Sequence, residues 1–197
     1  MSKNENVPIN LTSFSSASFN KSNLEGPLGI IKSSRQVICG DIGIRIDING
    51  EWHHQGSPIK RINLIKLFAS ILQRDDAGEY WLITPAEMAK IEVEDAPFLA
   101  VELIKSGDDQ KQILSLRTNL DQVITVDESH PIRVNINKKT KNPEPYVVLD
   151  GSIEAKITRP IYYDLVSLSE EEYKGSQVQG VWSNGVFFPL GTLEIEP

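Results

Sequence analysis

From residue 40 onward the chain alternates. Ile42, Ile44, Ile46 and Ile48 are interleaved with Gly43, Arg45 and Asp47, the period of a strand with one buried face. Asn49-Gly50 follows and reads as a two-residue turn with positive φ at both positions, returning as a strand over 51–54. That register sets Asp47 opposite Trp52 and Arg45 opposite His54, four side chains on the face away from the isoleucines. Gly56-Ser57-Pro58-Ile59 reads as a helix start, with Ser57 as N-cap and Pro58 at the first helical position. The predicted helix runs to Arg74, with Leu64, Ile65, Leu67, Phe68, Ile71 and Leu72 on one face. Strands are then expected at 80–84, 90–93 and 98–103. Ser106-Gly107-Asp108-Asp109-Gln110 reads as a linker between halves.

In the second half, strands are expected at 113–117, 123–126 and 132–136, followed by a polar loop over 138–145. A hairpin is expected around Asp150-Gly151, a helix over 162–168, a capping-box turn at Ser169–Glu172 and a hairpin around Asn184-Gly185. The order of elements in 41–103 is partly repeated in 146–190, and Val93–Phe98 is echoed by Val126–Ile132, so a duplicated motif is one expectation. The fold class predicted is α+β: two similar small halves, mostly antiparallel sheet with one main helix each. The expected division is a mobile arm over 1–25, a first domain over 26–106 and a second over 107–197. The arm is assigned because its Ser/Asn-rich sequence offers little apolar area to offset ordering.

Composition narrows the functional classes. With 20 Lys+Arg against 27 Asp+Glu the chain has a formal net charge of −7, and neither half is basic, which disfavours a nucleic-acid partner. The apolar runs are too short for a membrane span, and the N-terminal residues do not resemble a secretory signal. Cys39 is the only cysteine, which excludes an internal disulfide and fits a reducing, cytoplasmic setting. Phosphate-loop, dinucleotide, nucleophile-elbow and HExxH motifs are absent. His53 and His54 are adjacent, so on a strand they face opposite ways and do not chelate one metal together. No metal site and no resident cofactor are expected.

The remaining chemistry is arginine-centred. Arg61 falls near the middle of the predicted apolar helix face and in the first turn, where the dipole disfavours a cation, so it either snorkels to solvent or meets an anion. Arg117-Thr118-Asn119 ends a strand with a cation and two hydrogen-bonding side chains, and Arg133 and Arg159 are interspersed with apolar residues. Trp52 beside Arg45 would stack a planar ligand, or would pack as an ordinary sheet face. The strings Asp41–Trp52, Gly56–Ile59, Glu79–Pro85, Val93–Phe98, Arg117–Asn119, Pro145-Tyr146-Val147, Arg159-Pro160 and Val181–Gly191 together resemble the bacterial family called domain of unknown function 1285. The resemblance spans roughly 39–191. It implies a two-part α+β protein built on a duplicated motif, with a second half loosely similar to pleckstrin-homology-like barrels, a nucleotide-type ligand between the halves and a role in signalling.

Three functions are therefore carried forward. The first is a cytoplasmic regulator binding a small anionic, nucleotide-type ligand between its halves through Arg45, Trp52, Arg61, Arg117, Thr118, Asn119, Tyr146 and Arg159. The second is a protein-interaction module. The third is an enzyme acting on a phosphorylated substrate, with Asp95 or His53 as general base.

Overall fold

The isoleucine alternation forms a hairpin, but one residue longer at its turn than the Asn-Gly signal suggests. The computed structural model describes residues 29–30, 35–170 and 178–192. In it, β1 (Val37–Cys39), β2 (Ile44–Ile46), β3 (Trp52–His54), β4 (Ser57–Pro58), helix α1 (Ile62–Ser70), β5 (Leu72–Arg74), β6 (Tyr80–Ile83) and β7 (Glu87–Val93) build the first sheet with its helix. Strands β8 (Phe98–Ser106), β9 (Ile113–Thr118), β10 (Val123–Thr125), β11 (Ile132–Ile136), β12 (Pro143–Val148) and β13 (Glu154–Ile157) build the second. Helix α2 (Arg159–Ser167) and a final hairpin, β14 (Val178–Ser183) with β15 (Val186–Thr192), follow. The described residues are thus mostly β with two α-helices, an α+β protein in two parts.

The two sheets have the same strand order. The first runs β4-β3-β2-β7-β6-β5, with β1 beside β7, and the second runs β10-β9-β8-β13-β12-β11. In each, two three-strand meanders join through a central parallel pair, β2 with β7 and β8 with β13. The sheets do not have separate cores. Ile44, Ile46, Trp52, Phe68 and Ile91 belong to one apolar cluster with Phe98, Leu116, Val147, Ile157, Leu165 and Val181.

The first turn corrects the expected register. Ile46 lies opposite Trp52 and Arg45 opposite His53. Asp47 N donates to Glu51 O, Gly50 N donates to Asp47 O, and within the turn only Gly50 has positive φ, at 70°. This is a three-residue loop with glycine in the left-handed position. The Asp47 side chain holds it, Oδ1 accepting the amides of Asn49 and Glu51 at 2.9 Å each. Because side chains alternate along a strand, the one-residue shift moves Trp52 from the solvent face to the core. It is 2% exposed there and stacks on Phe68 at 6.1 Å between ring centroids.

Asp150-Gly151 also belongs to a longer turn, with Leu149 N donating to Ile153 O and Ser152 at φ 65°. Asn184 and Gly185 do form the expected two-residue turn, at φ 50° and 76°, with Trp182 opposite Phe187.

The helix begins later and ends sooner than its apolar period suggests. Gln55 and Gly56, both at positive φ, turn β3 into β4, so Ser57 and Pro58 are edge-strand residues and not a helix cap. Arg61 is the N-cap residue, Ile71 ends the helix, and Leu72 enters the core from β5. Leu67, counted on the buried face, is 46% exposed. The segment read as a linker, Ser106–Gln110, is the turn between β8 and β9, and the chain crosses between sheets at 94–97. The arm over 1–25 lies outside the described residues, and the turn at Ser169–Glu172 runs out of them.

Gly50 meets the second half: a Cβ there would lie 3.2 Å from both Asn119 Nδ2 and Leu99 Cγ. Gly50→Ala is therefore expected to lose about 1–2 kcal/mol from backbone strain, with a further cost for the contact. Gly185→Ala, with nothing within 4 Å of its Cβ, pays the strain alone. Urea unfolding of both variants checks this, and Gly50→Ala no less stable than Gly185→Ala contradicts the close approach.

Candidate functional site

The predicted arginines do not converge. Arg45 pairs with Glu94 on the first sheet, while Arg117 pairs with Glu102 on the neighbouring strand and faces Asp121 at 4.0 Å. Arg159 opens α2, where its Nε donates to Tyr163 Oη at 2.8 Å and its guanidinium lies over that ring. Arg61 is exposed and has no ion pair among the described residues. Its backbone carbonyl accepts from Leu64 and Ile65 at the start of α1, so the apolar-face argument for it does not hold. The pairings with Glu94 and Glu102 were invisible beforehand because strand pairing, not closeness in sequence, brings those carboxylates to Arg45 and Arg117.

Thr118 and Asn119 are structural first. Buried Thr118 accepts the amides of Leu120 and Gln122 through Oγ1, tightening the turn into β10. Asn119 N donates to Leu99 O at 2.8 Å and its Oδ1 accepts from Leu99 N at 3.1 Å, clamping the turn to β8.

Trp52 and Asn119 do come together. They line a groove of about 410 Å³ between the halves, walled by Gly50, Pro58, Ile59, Ile62 and Ile65 on one side and Leu120 on the other, with Lys60 among its lining residues. Trp52 Nε1 is buried with no hydrogen-bond partner among the described residues. Asn119 Nδ2 faces the Gly50 backbone, and Lys60 has no ion pair among the described residues. Leu120 also lines a second hollow of about 450 Å³ with Leu72, Phe98 and Leu149, where Lys66 is bound to Asp121 at 2.7 Å. Two further hollows lie apart from the groove. One holds Arg45 with Asp41, Glu79 and Glu92, and its mixed charge does not select an anion. The other lies between the 137–145 loop and α2 and holds Arg159, Lys156 and Glu144.

Tyr146 belongs to a polar tie between the sheets. Its hydroxyl donates to Asp95 Oδ1 at 2.7 Å, and Lys156 holds the other oxygen of Asp95. Arg133 lies 4.8 Å from the Tyr146 ring centroid and pairs with buried Glu154, which Arg74 of the first sheet approaches at 3.6 Å. Burial first, then the hydrogen bond to Asp95 and its charge, push the Tyr146 pKa well above the ordinary tyrosine value. Each Asp95 oxygen is engaged and Asp95 lines none of the hollows described above, which weakens the case for it as a general base.

The shifted hairpin register also gathers a cluster that the sequence reading did not assemble, although it named Asp47 and His53 singly. Ligand atoms of Asp47, Glu51 and His53 lie within 4.8 Å of one another. His53 Nε2 sits 3.2 Å from Asp47 Oδ2, while partial burial of the Asp47 carboxyl is outweighed by hydrogen bonds from Glu51, His53 and Asn49 that hold its pKa low. The spacing Asp-x3-Glu-x-His is the signal that could have found them, had the turn length been known.

Residues 35–96 match the description "Domain of unknown function (DUF1285), N-terminal domain", and residues 97–190 match "Protein of unknown function (DUF1285), C-terminal domain". The chain belongs to the DUF1285 family. A DUF1285 family protein from Silicibacter pomeroyi DSS-3 is similar to it at 40% identity and TM-score 0.75, covering 81% of this chain and 85% of that one. A second, from Shewanella baltica OS155, is 28% identical with TM-score 0.51, covering 64% of this chain and 91% of that one. No curated protein matches. The DUF1285 description names no activity. Among the described residues, no helix is long and apolar enough to cross a membrane.

Tyr146→Phe tests the tie. Losing one hydrogen bond to a carboxylate that keeps its lysine is expected to cost about 1–2 kcal/mol. The folded phenol titrates above its unfolded value, so its contribution is complete below about pH 10 and is lost as pH rises beyond that. Stability measured from pH 8 to 11 should therefore fall less steeply in Tyr146→Phe than in the parent. Parallel curves refute the assignment.

Proposed function

We propose that the chain is a regulatory ligand-binding protein whose small anionic ligand occupies the groove between Trp52 and Asn119. One observation carries this reading: three donors with no acceptor among the described residues, Trp52 Nε1, Asn119 Nδ2 and the Lys60 ammonium, belong to residues lining one largely apolar groove. Trp52 Nε1 is the buried one of the three, and a buried donor is rarely left unpaired, while the partly covered Asn119 amide and the exposed Lys60 ammonium are accessible to an acceptor from outside the chain. Arg61, next in sequence to Lys60, adds positive charge nearby. Because Trp52 is buried and Arg45, Arg117 and Arg159 are placed elsewhere, the fitting ligand has a planar or apolar body and a single acidic group. A nucleoside monophosphate is the largest nucleotide type that this charge supports.

A cytoplasmic setting is part of the proposal, supported by the lone cysteine. Cys39 is buried, and burial followed by the charge of Glu87 pushes its thiol pKa up, as for an unreactive thiol. Descent of both halves from one duplicated unit is supported by their common strand order. The loose pleckstrin-like likeness of the second half rests on α2 following its strands.

A protein-interaction role has its own support. Ile104, Ile113 and Val123 are 40%, 41% and 54% exposed. The strand register sets them on one face of β8–β9–β10.

A thermal-shift panel of nucleoside monophosphates and aromatic carboxylates separates the two readings. A ligand at about 100 times its Kd should stabilise the parent by about 2.7 kcal/mol. The shift should shrink in Lys60→Ala and Asn119→Ala. No shift across the panel, or shifts unchanged in both variants, removes the groove reading and leaves the sheet face.

A further inference from the structure

We propose that Asp47, Glu51 and His53 bind one divalent transition cation of the zinc type at the end of the β2–β3 hairpin. The inference is independent of the groove reading, although Glu51 also lines the groove.

The donor set is built by the backbone. Asp47 Oδ1 is committed to the turn amides, which fixes the carboxylate and leaves Oδ2 directed at His53 Nε2, 3.2 Å away. Two donors bound to one ion at about 2.0–2.1 Å stand about 2.9–3.4 Å apart in octahedral or tetrahedral geometry. The observed separation therefore needs little adjustment. Glu51, paired with Asp47 across the turn, brings its carboxylate within 4.8 Å of both. It is exposed while Asp47 and His53 are partly covered, so it offers the side from which an ion enters.

Two carboxylates and a neutral imidazole carry two negative charges for a dication, and a mixed nitrogen and oxygen set suits zinc-type ions. Three protein donors leave a position open for water or a ligand's acidic group. Arg45, paired with His53 across the hairpin, is an opposing charge on the same face. Glu94 neutralises it while also accepting the Ile48 amide at 3.0 Å. The His130 group is a weaker rival, because Asp127 faces His130 Nδ1 while Asp150 faces Nε2 at 3.7 Å, and one ion does not bind both nitrogens of a ring.

Calorimetric titration of the chelator-treated full chain with Zn2+ tests the assignment. One ion per chain is expected, bound about tenfold more weakly or worse, about 1.4 kcal/mol, by Asp47→Asn and by His53→Gln. Asn at 47 keeps the acceptor for the turn. Should that variant still unfold, His53→Gln decides, with its metal-free melting curve showing that the fold is intact. His130→Gln and Lys60→Ala should bind as the parent does, which separates this site from the rival histidine and from the groove. No saturable one-to-one binding, or binding lost in His130→Gln and kept in His53→Gln, overturns the proposal.

Discussion

The Asp47 carboxylate, by accepting the amides of Asn49 and Glu51, closes a three-residue turn, and that extra residue decides which face of β3 meets the core. Three consequences follow from this one register. Trp52 is buried against Phe68. Glu51 and His53 join Asp47 on the opposite face. Gly50 is carried to the second half, where only a residue without Cβ fits beside Asn119 and Leu99 without adjustment. The groove and the candidate metal site thus meet at one hairpin, with Glu51 at the edge of both.

The two halves are held together twice. At one end Gly50 packs against Asn119 and Leu99 and Lys66 pairs with Asp121, and at the other Asp95 receives Tyr146 and Lys156 while Glu154, paired with Arg133, receives Arg74. Partly buried ion pairs add little net stability, because desolvation offsets their attraction, but removing one partner is costly. Their effect here is to fix how the sheets sit, while the continuous apolar cluster supplies the burial energy. Sharing a core also restricts motion. A ligand in the groove would act on the hairpin end and the Thr118–Gln122 turn, not by swinging the halves apart.

Periodicity made the strands and the two-part α+β character legible, and the Asn184-Gly185 hairpin was read with its register. The same dipeptide at Asn49-Gly50 announced a turn but not its length. Asn184 takes positive φ and Asn49 does not, because Asp47 supplies a side-chain acceptor that favours the longer loop. Ser57-Pro58 imitated a helix start because a proline suits an edge strand as well as a first helical turn. The arginines were the least legible. Whether Arg45 or Arg117 is free depends on Glu94 and Glu102, and only strand pairing brings those carboxylates to them.

Magnitudes show why the longer turn wins. A two-residue turn would have kept Ile48 on the isoleucine face, but would have set Glu51 and His53 there as well and left Trp52 in water. The observed register leaves Ile48 55% exposed. That forfeits part of the roughly 1.5–3 kcal/mol available from burying an aliphatic side chain. Burying a tryptophan removes about 150–250 Å² from water, worth about 4–6 kcal/mol, and the carboxylate and imidazole stay hydrated. The cost that remains is the indole N–H, sealed in without an acceptor at about 1–3 kcal/mol. The balance still favours burial. The same tryptophan lines the groove between the halves, so the energetic choice that fixes the hairpin also sets the groove's wall, with the closed indole N–H behind it.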